Sequence, residues 1–319
     1  MTALYEKLKT VPHLPGIYKM LNHKGEILYI GKSKDLNNRI HSYFSKSPKK
    51  IKIVRMMLLV KDFSYVITAT HLEACLLECR LIKLIQPPYN AQFKNDHRYV
   101  YLKLNTNPEQ VPLSITSSRD ENCFGPFRSQ LSMNNFIDNI SHLFPILIEN
   151  NNNLLITYHL FPDKLERQEF MKNRETLLSV LTNRSKMDQF ITALSEEMYR
   201  ASHELHYERA KLFKDIIKSL HSMSRLLFDL NKLMSYDLVL CIPVDKRFRL
   251  LLIQKGMITA ERCLSKFSKD AITKFFKQNA ARPKTETYSE KAALDFYNII
   301  LNELQSFPAE WIHIMEKNP

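Results

Sequence analysis

Six side chains in the N-terminal part of this 319-residue chain have the types and spacing for phosphodiester chemistry: Tyr18, Tyr29, Lys32, Arg39, Tyr43 and Glu78. A carboxylate such as Glu78 can hold one hard divalent ion through oxygen. Such an ion polarises a phosphate and stabilises the leaving oxygen. An arginine matches phosphate oxygens with paired N–H donors. A phenol beside a lysine can act as a general base if positive charge lowers its pKa from about 10. Arg39 and Tyr43 are four residues apart and would share a helical face. Lys32 follows Gly31 directly, and the two tyrosines Tyr18 and Tyr29 lie in separate short apolar runs.

The elements that must position these groups are legible nearby. GIYKM (16–20) and ILYIG (27–31) read as strands around the turn signal HKGE (23–26), which predicts a β-hairpin. KSKDLNNRIHSYF follows, with Leu36, Ile40, Tyr43 and Phe44 at helical spacing. VRMMLLV (54–60) fits a helix, and FSYVITA (63–69) alternates as a strand. Thr70-His71-Leu72-Glu73 is a capping box, so a helix is predicted from 71 to about Ile85, where Gln86-Pro87-Pro88 stops it. On its wheel Leu81, Ala74, Ile85, Ile82 and Cys75 surround Glu78, while Glu73, Arg80 and Lys83 face the other way. A carboxylate in the middle of an apolar stripe must be paired, protonated or metal-bound. A strand at 99–104 completes a compact α+β or α/β/α pattern.

Further on, Asn150 to Asn153 mark a loop and a boundary region. Residues 164–230 are charged, free of glycine and helical in period. From 236 the pattern changes to YDLVLCIPV and RLLLIQKGMI with a glycine turn, then to helical segments, which reads as a small α+β tail.

Composition narrows the function classes. Apolar residues make up 45% and charged residues 25%, which excludes wholesale disorder. No apolar run approaches the roughly 20 residues of a membrane span. The N-terminus lacks an apolar signal region, so a cytoplasmic protein without a membrane partner is the expectation. The net charge is +13, from 46 Lys and Arg against 33 Asp and Glu. Residues 1–100 hold 17 basic and 7 acidic side chains, or +10 of that total. Such a domain suits a polyanion, most often nucleic acid. On charge alone it also suits a merely solvated basic face. The five cysteines form no CxxC pair, which argues against a disulfide framework or a Cys-rich zinc site. Cys75 and Cys79, four apart in an apolar helical pattern, read as reduced core thiols.

Gly16-Ile17-Tyr18, a ten-residue gap and Tyr29-Ile30-Gly31 resemble the GIY-YIG nuclease signature, together with Lys32, Arg39, Glu78 inside EACLLECRLIK, and Asn90 inside PPYN. The longer stretch LPGIYKM…ILYIGKSKDLNNRIHSYF…LEACLLECRLIKLIQPPYN resembles the N-terminal nuclease domain of the UvrC family of excision-repair endonuclease subunits, and the likeness extends through CFGPF (123–127). The resemblance implies catalytic roles for Tyr18, Tyr29, Lys32, Arg39, Tyr43, Glu78 and Asn90. Tyr29 would be the base that activates water, with Tyr18 hydrogen-bonded beside it and Lys32 orienting or tuning it. Arg39 would hold the scissile phosphate, with Tyr43 adjacent. Glu78 would bind a single Mg²⁺ or Mn²⁺, and Asn90 would brace the site. Lys34, His41, Lys49 and Lys50 are the candidate DNA contacts, although His41 lies off the Arg39–Tyr43 face and reads first as an ordinary surface residue.

A second pattern lies at 195–220. Met198, Ala201 and Leu205, then Ala210, Phe213, Ile217 and Leu220, recur at helical spacing around a bend near His206, which predicts an αα-hairpin with an apolar face. By pattern alone that face packs on its own protein as readily as on a partner. Met198, Ala201, Leu205, Tyr207-Glu208-Arg209-Ala210, Asp215 and Ile216 resemble the UVR motif, by which UvrC contacts the helicase subunit UvrB. The resemblance implies a UvrB contact through Met198, Ala201, Leu205, Tyr207, Glu208, Ala210 and Phe213. Lys214 departs from the arginine favoured before the aspartate.

Two departures from UvrC are larger. No cysteine occurs from 124 to 240, so the iron–sulfur cluster linked to that family cannot form there, and none is expected. The tail resembles only the opening strands of the family's C-terminal RNase H-like domain. Asp237 and Asp245 read as strand-end residues rather than a second metal site. The 5′-side incision is therefore expected to be missing, as in shorter Cho-like homologues.

The expectation is an α+β protein in four parts. These are a GIY-YIG α/β/α nuclease domain (1–105), a mostly helical connection without a Cys cluster (106–185), a UVR-like hairpin (186–232) and an α+β tail (233–319). Its expected activity is a single, 3′-side incision of damaged double-stranded DNA, recruited by UvrB. Two rivals remain open: a GIY-YIG nuclease for phage, mobile or branched DNA that is independent of UvrB, and a non-cutting regulator that binds UvrB.

Overall fold

The computed structural model describes residues 2–45, 50–105, 107, 110–143, 167–254, 257–280 and 288–315. The chain divides into two compact units, Met1–Asp96 with Leu233–Pro319, and His97–Lys232.

In the first unit, α1 (Thr2–Lys9) precedes the expected hairpin of β1 (Gly16–Leu21) and β2 (Ile27–Ser33). Asn22 closes its turn by accepting from the N–H groups of Lys24 and Glu26 through Oδ1, and Gly25 takes a φ of +78°. After α2 (Leu36–Phe44) and α3 (Ile51–Leu59), β3 (Asp62–Ile67) pairs with the other edge of β1. The sheet is antiparallel in the order β2-β1-β3, and Tyr18 stands opposite Gly31 on one side and Tyr65 on the other. Two motif glycines are required by close approach. A Cβ at Gly31 would collide with the Tyr18 hydroxyl, and one at Gly16 with the Val66 carbonyl. Helix α4 (His71–Ile85) begins at the predicted cap. Thr70 accepts from Glu73 N and donates to its carboxylate, and the helix ends at Gln86 in a left-handed conformation before the two prolines. Leu36, Ile40, Met20 and Phe63 close the core beneath the sheet.

The strand expected at 99–104 forms as β4 (Val100–Leu104), but it belongs to the second unit, where it is the centre of the sheet β5-β4-β6 with β5 (Leu113–Thr116) and β6 (Cys123–Phe127). The first unit thus breaks after Asp96 rather than at 105, because β4 pairs with CFGPF and not with the hairpin sheet. The region predicted as mostly helical therefore starts with two strands. Helices α5 (Gln130–Leu143), α6 (Arg167–Thr182), α7 (Arg184–His203) and α8 (Tyr207–Ser224) complete the unit around one apolar core, with a π-helical segment at Arg225–Asp229. Arg174 is buried and donates to the carbonyls of Asn105, Asn107 and Gln110. The bend between α7 and α8 forms as predicted: Leu205 takes a φ of 64° and His206 N donates to Ala201 O. Asn150 to Asn153 lie outside the described residues.

The chain continues through α9 (Leu230–Ser235) and then rejoins the first unit. The strands β7 (Asp237–Val244), β8 (Arg247–Gln254) and β9 (Met257–Leu264) are followed by α10 (Lys269–Asn279), α11 (Glu290–Ser306) and β10 (Ile312–Met315). Their antiparallel sheet has the order β10-β7-β8-β9. One face packs Val239, Cys241, Leu250 and Leu252 on Ile272 and Phe275 of α10. The other packs Leu238, Leu240 and Leu251 with Ile300 of α11 against Leu72, Cys75 and Cys79 of α4. Asp237 opens β7 and accepts from Gln254, and Asp245 lies at the β7–β8 turn.

Candidate active site

The sheet, α2 and α4 bring the predicted residues into one cluster. The rings of Tyr18, Tyr29 and Tyr43 surround one another, with centroids 5.7 to 6.4 Å apart. The Tyr18 and Tyr43 hydroxyls are 2.8 Å apart. Arg39 reaches both, donating from Nε to Tyr18 at 3.1 Å and from Nη2 to Tyr43 at 3.2 Å, while its guanidinium lies over the Tyr43 ring. The i, i+4 spacing of Arg39 and Tyr43 on α2 makes this possible. Arg39 itself remains exposed.

Glu78 comes from α4. Its side chain is 9% exposed and accepts the Lys32 backbone N–H at 3.1 Å. Burial raises the Glu78 pKa above the usual carboxylate value, against the opposing charges of Lys32, His71 and Arg39. The Lys32 ammonium does not close on this carboxylate. Its Nζ lies 2.9 Å from the Cys75 sulfur. Burial works against the Lys32 charge, but Cys75 first and then the neighbouring carboxylates outweigh it and hold the Lys32 pKa up. Asn90 is buried and clamps the β2 backbone, accepting from Ile30 N at 2.9 Å and donating to Ile30 O at 2.8 Å. It thereby fixes the strand that presents Tyr29 and Lys32.

One sequence expectation is overturned. The phenol of Tyr29 is not lowered by positive charge. Burial, then Tyr43 and Glu78, push it up to about 12, and Arg39 opposes this only in part. Tyr18, fully buried, is raised for the same primary cause, desolvation.

Lys34 and Lys50 are exposed, whereas Lys49 lies outside the described residues. His41 is exposed and turns its Nδ1 onto the Asn37 carbonyl of its own helix, away from the tyrosine cluster. In the α7–α8 hairpin the candidate partner residues separate. Leu205 is 68% exposed and Tyr207 65%, and Glu208 is exposed beside them. Phe213 and Ala201 are instead buried in the unit's own core, with Met198 and Ala210 packed partly against it. These four residues were expected to face a partner. They face inward because their side of the hairpin covers α5 and the sheet core.

His71 and Glu303 were missed from the surroundings of Glu78 and Lys32. His71 stands one turn before Cys75 on α4, a spacing the sequence shows. Glu303, on α11, carries no local signal.

Residues 14–91 match the UvrC-like GIY-YIG domain, and residues 188–222 match the UvrB/uvrC (UVR) motif. UvrABC system protein C of Thermoanaerobacter sp. (strain X514) is 33% identical over 240 residues, which cover 70% of this chain and 39% of that protein. The protein of the same name from Clostridium beijerinckii is 32% identical over 227 residues, covering 66% of this chain and 36% of its own. The chain thus spans about two-fifths of the length of the curated relatives it matches. The solved N-terminal GIY-YIG endonuclease domain of UvrC from Thermotoga maritima, bound to magnesium as its catalytic divalent cation, is 34% identical. That match has a TM-score of 0.26 and covers 28% of this chain and 99% of that one.

Proposed function

We propose that this chain, which carries a UvrC-like GIY-YIG domain and a UVR motif, is a metal-dependent endonuclease that makes a single, 3′-side incision in damaged duplex DNA, recruited by UvrB. The observation that carries the reading is the convergence of Arg39, three tyrosines and the buried Glu78 from separate elements of one unit.

The chemistry of Glu78 fits a hard divalent ion. It is a half-satisfied carboxylate in an apolar helix stripe, and among the described residues its hydrogen bond comes from a backbone N–H, which leaves oxygen lone pairs for a cation. When bound there, Mg²⁺ or Mn²⁺ supplies Lewis-acid polarisation of the phosphate. Arg39 binds the scissile phosphate with donors held in register by Tyr18 and Tyr43. Tyr29 orients the attacking water and takes its proton, and Asn90 keeps β2 rigid beneath it. The products are a 3′-hydroxyl and a 5′-phosphate. The basic first hundred residues supply non-specific phosphate contacts, so DNA affinity falls steeply with salt. Specificity is supplied by UvrB through the exposed end of the α7–α8 hairpin.

The test is incision of a duplex bearing one bulky adduct with UvrA, UvrB, ATP and Mg²⁺, comparing wild type with Glu78→Gln. One cut on the 3′ side, dependent on UvrB and absent in the variant, supports the proposal. Cutting of undamaged or branched DNA without UvrB would replace it with an independent nuclease, and no cutting of any substrate with a non-cutting regulator.

A further inference from the structure

His71, Cys75 and Glu303 bring a nitrogen, a sulfur and an oxygen to one point beside the tyrosine cluster. His71 and Cys75 are one helical turn apart on α4, and Glu303 reaches them from α11. The His71 Nδ1–Cys75 Sγ separation is 3.6 Å, His71 Nδ1–Glu303 Oε1 is 3.1 Å, and Cys75 Sγ–Glu303 Oε1 is 4.0 Å. Tetrahedral zinc, with bonds of about 2.0 Å to nitrogen and oxygen and about 2.3 Å to sulfur, sets ligand–ligand separations of roughly 3.3–3.7 Å. The triangle matches these to within about half an ångström, without rearrangement of the backbone.

We propose that His71, Cys75 and Glu303 form a zinc site distinct from the Glu78 site, with water in the fourth position. The donor set selects the metal. One imidazole, one thiolate and one carboxylate suit borderline-soft Zn²⁺, whereas Mg²⁺ and Ca²⁺ prefer oxygen alone. The charges also balance: a thiolate and a carboxylate neutralise a divalent ion. An inert core thiol sits among apolar groups. Cys75, although fully buried, touches an imidazole, a carboxylate and the Lys32 ammonium. Lys32 then acts as the outer-shell donor that orients a metal-bound thiolate. The site ties α11 of the tail to the helix that carries Glu78. It does not rest on the nuclease reading, and its test reads metal rather than incision.

The full chain, free of any affinity tag and stripped with EDTA, is titrated with Zn²⁺ against a chromophoric chelator and separately with Co²⁺. The expected result is one zinc per chain and, with cobalt, a thiolate charge-transfer band with the visible bands of tetrahedral coordination. Cys75→Ser abolishes the charge-transfer band, and Cys75→Ser and Glu303→Gln each weaken zinc at least tenfold. Glu78→Gln changes neither. Zinc raises the Tm of wild type but not of the Cys75→Ser, Glu303→Gln double variant. Absence of the band in wild type overturns the proposal by itself, even if the variants fail to fold. So does zinc affinity unaltered in the folded double variant, or lost in Glu78→Gln.

Discussion

The Nζ of Lys32 lies 2.9 Å from the sulfur of Cys75, while the Glu78 carboxylate takes only the Lys32 backbone N–H, at 3.1 Å. The Lys32 ammonium is thus spent on a thiol one turn away from Glu78 on α4, and among the described residues no ion pair closes on the buried Glu78 carboxylate. That leaves room for a cation and makes the carboxylate a burden on the metal-free fold.

This gives Glu78→Gln two opposite effects. Incision should fall by about a thousandfold, the scale of losing a preorganised electrostatic group. Because burial raises the Glu78 pKa in the folded state, its ionised form destabilises the protein at neutral pH, and that penalty fades as pH falls through the folded pKa. The amide keeps the acceptor for Lys32 N without the charge. Without divalent ions at pH 7, the Tm of the variant should equal or exceed that of wild type by calorimetry. A clear drop in Tm would show that Glu78 is structurally paired.

The Tyr29 phenol, held at about 12, sets a direction for the pH profile. A base must be deprotonated to act, so the incision rate should climb with pH from 6 through 9 without reaching a plateau. Tyr29→Phe should be slower and should lose this climb. A plateau near pH 7 in single-turnover kinetics would assign the base elsewhere.

The hairpin predicts a contrast between two substitutions. Leu205→Asp, at a side chain 68% exposed, should weaken UvrB binding at least tenfold, about 1.4 kcal/mol, and leave the Tm unchanged. Phe213→Asp, at a side chain 3% exposed in the core, should destabilise the second unit by more than about 3 kcal/mol. Calorimetry and a binding isotherm separate the two effects. Loss of binding in Phe213→Asp would therefore say nothing about contact with a partner.

The join between α4 and the tail should be stiffened by the pair Lys83–Asp295, 2.7 Å apart, with the aspartate fully buried. Asp295→Ala removes this charged hydrogen bond while Lys83 keeps Asp96 at 2.9 Å, so it should destabilise the first unit by about 1.5–3 kcal/mol in urea unfolding. Asp120→Ala, which breaks an exposed pair with Lys103, should change stability by less than about 1 kcal/mol.

The local parts of this protein were legible in its sequence because each is fixed by neighbours along the chain. The hairpin follows from GIYKM, a turn and ILYIG. The start of α4 follows from the Thr70–Glu73 box, and its stop from Gln86 and two prolines. The placement of Glu78 in an apolar stripe follows from helical period alone. The polar side of α4 misled for the same reason. Glu73, Arg80 and Lys83 read as a face set apart from the core, yet Glu73 is joined to Arg249 at 2.6 Å and Lys83 to Asp295. No local signal announces partners lying 176 and 212 residues away. The same holds for β4, whose alternation gives a strand but not the sheet it joins, and for Phe213, whose spacing gives an apolar face but not what covers it. The pKa of Tyr29 is another such case, since burial and the neighbours Tyr43, Glu78 and Arg39 decide it. Residue type and period therefore determined the elements and the chemical groups. Only tertiary packing, which sets distance, burial and charge between remote segments, decided that the tail completes the surroundings of α4 and that Cys75 meets Glu303 and Lys32.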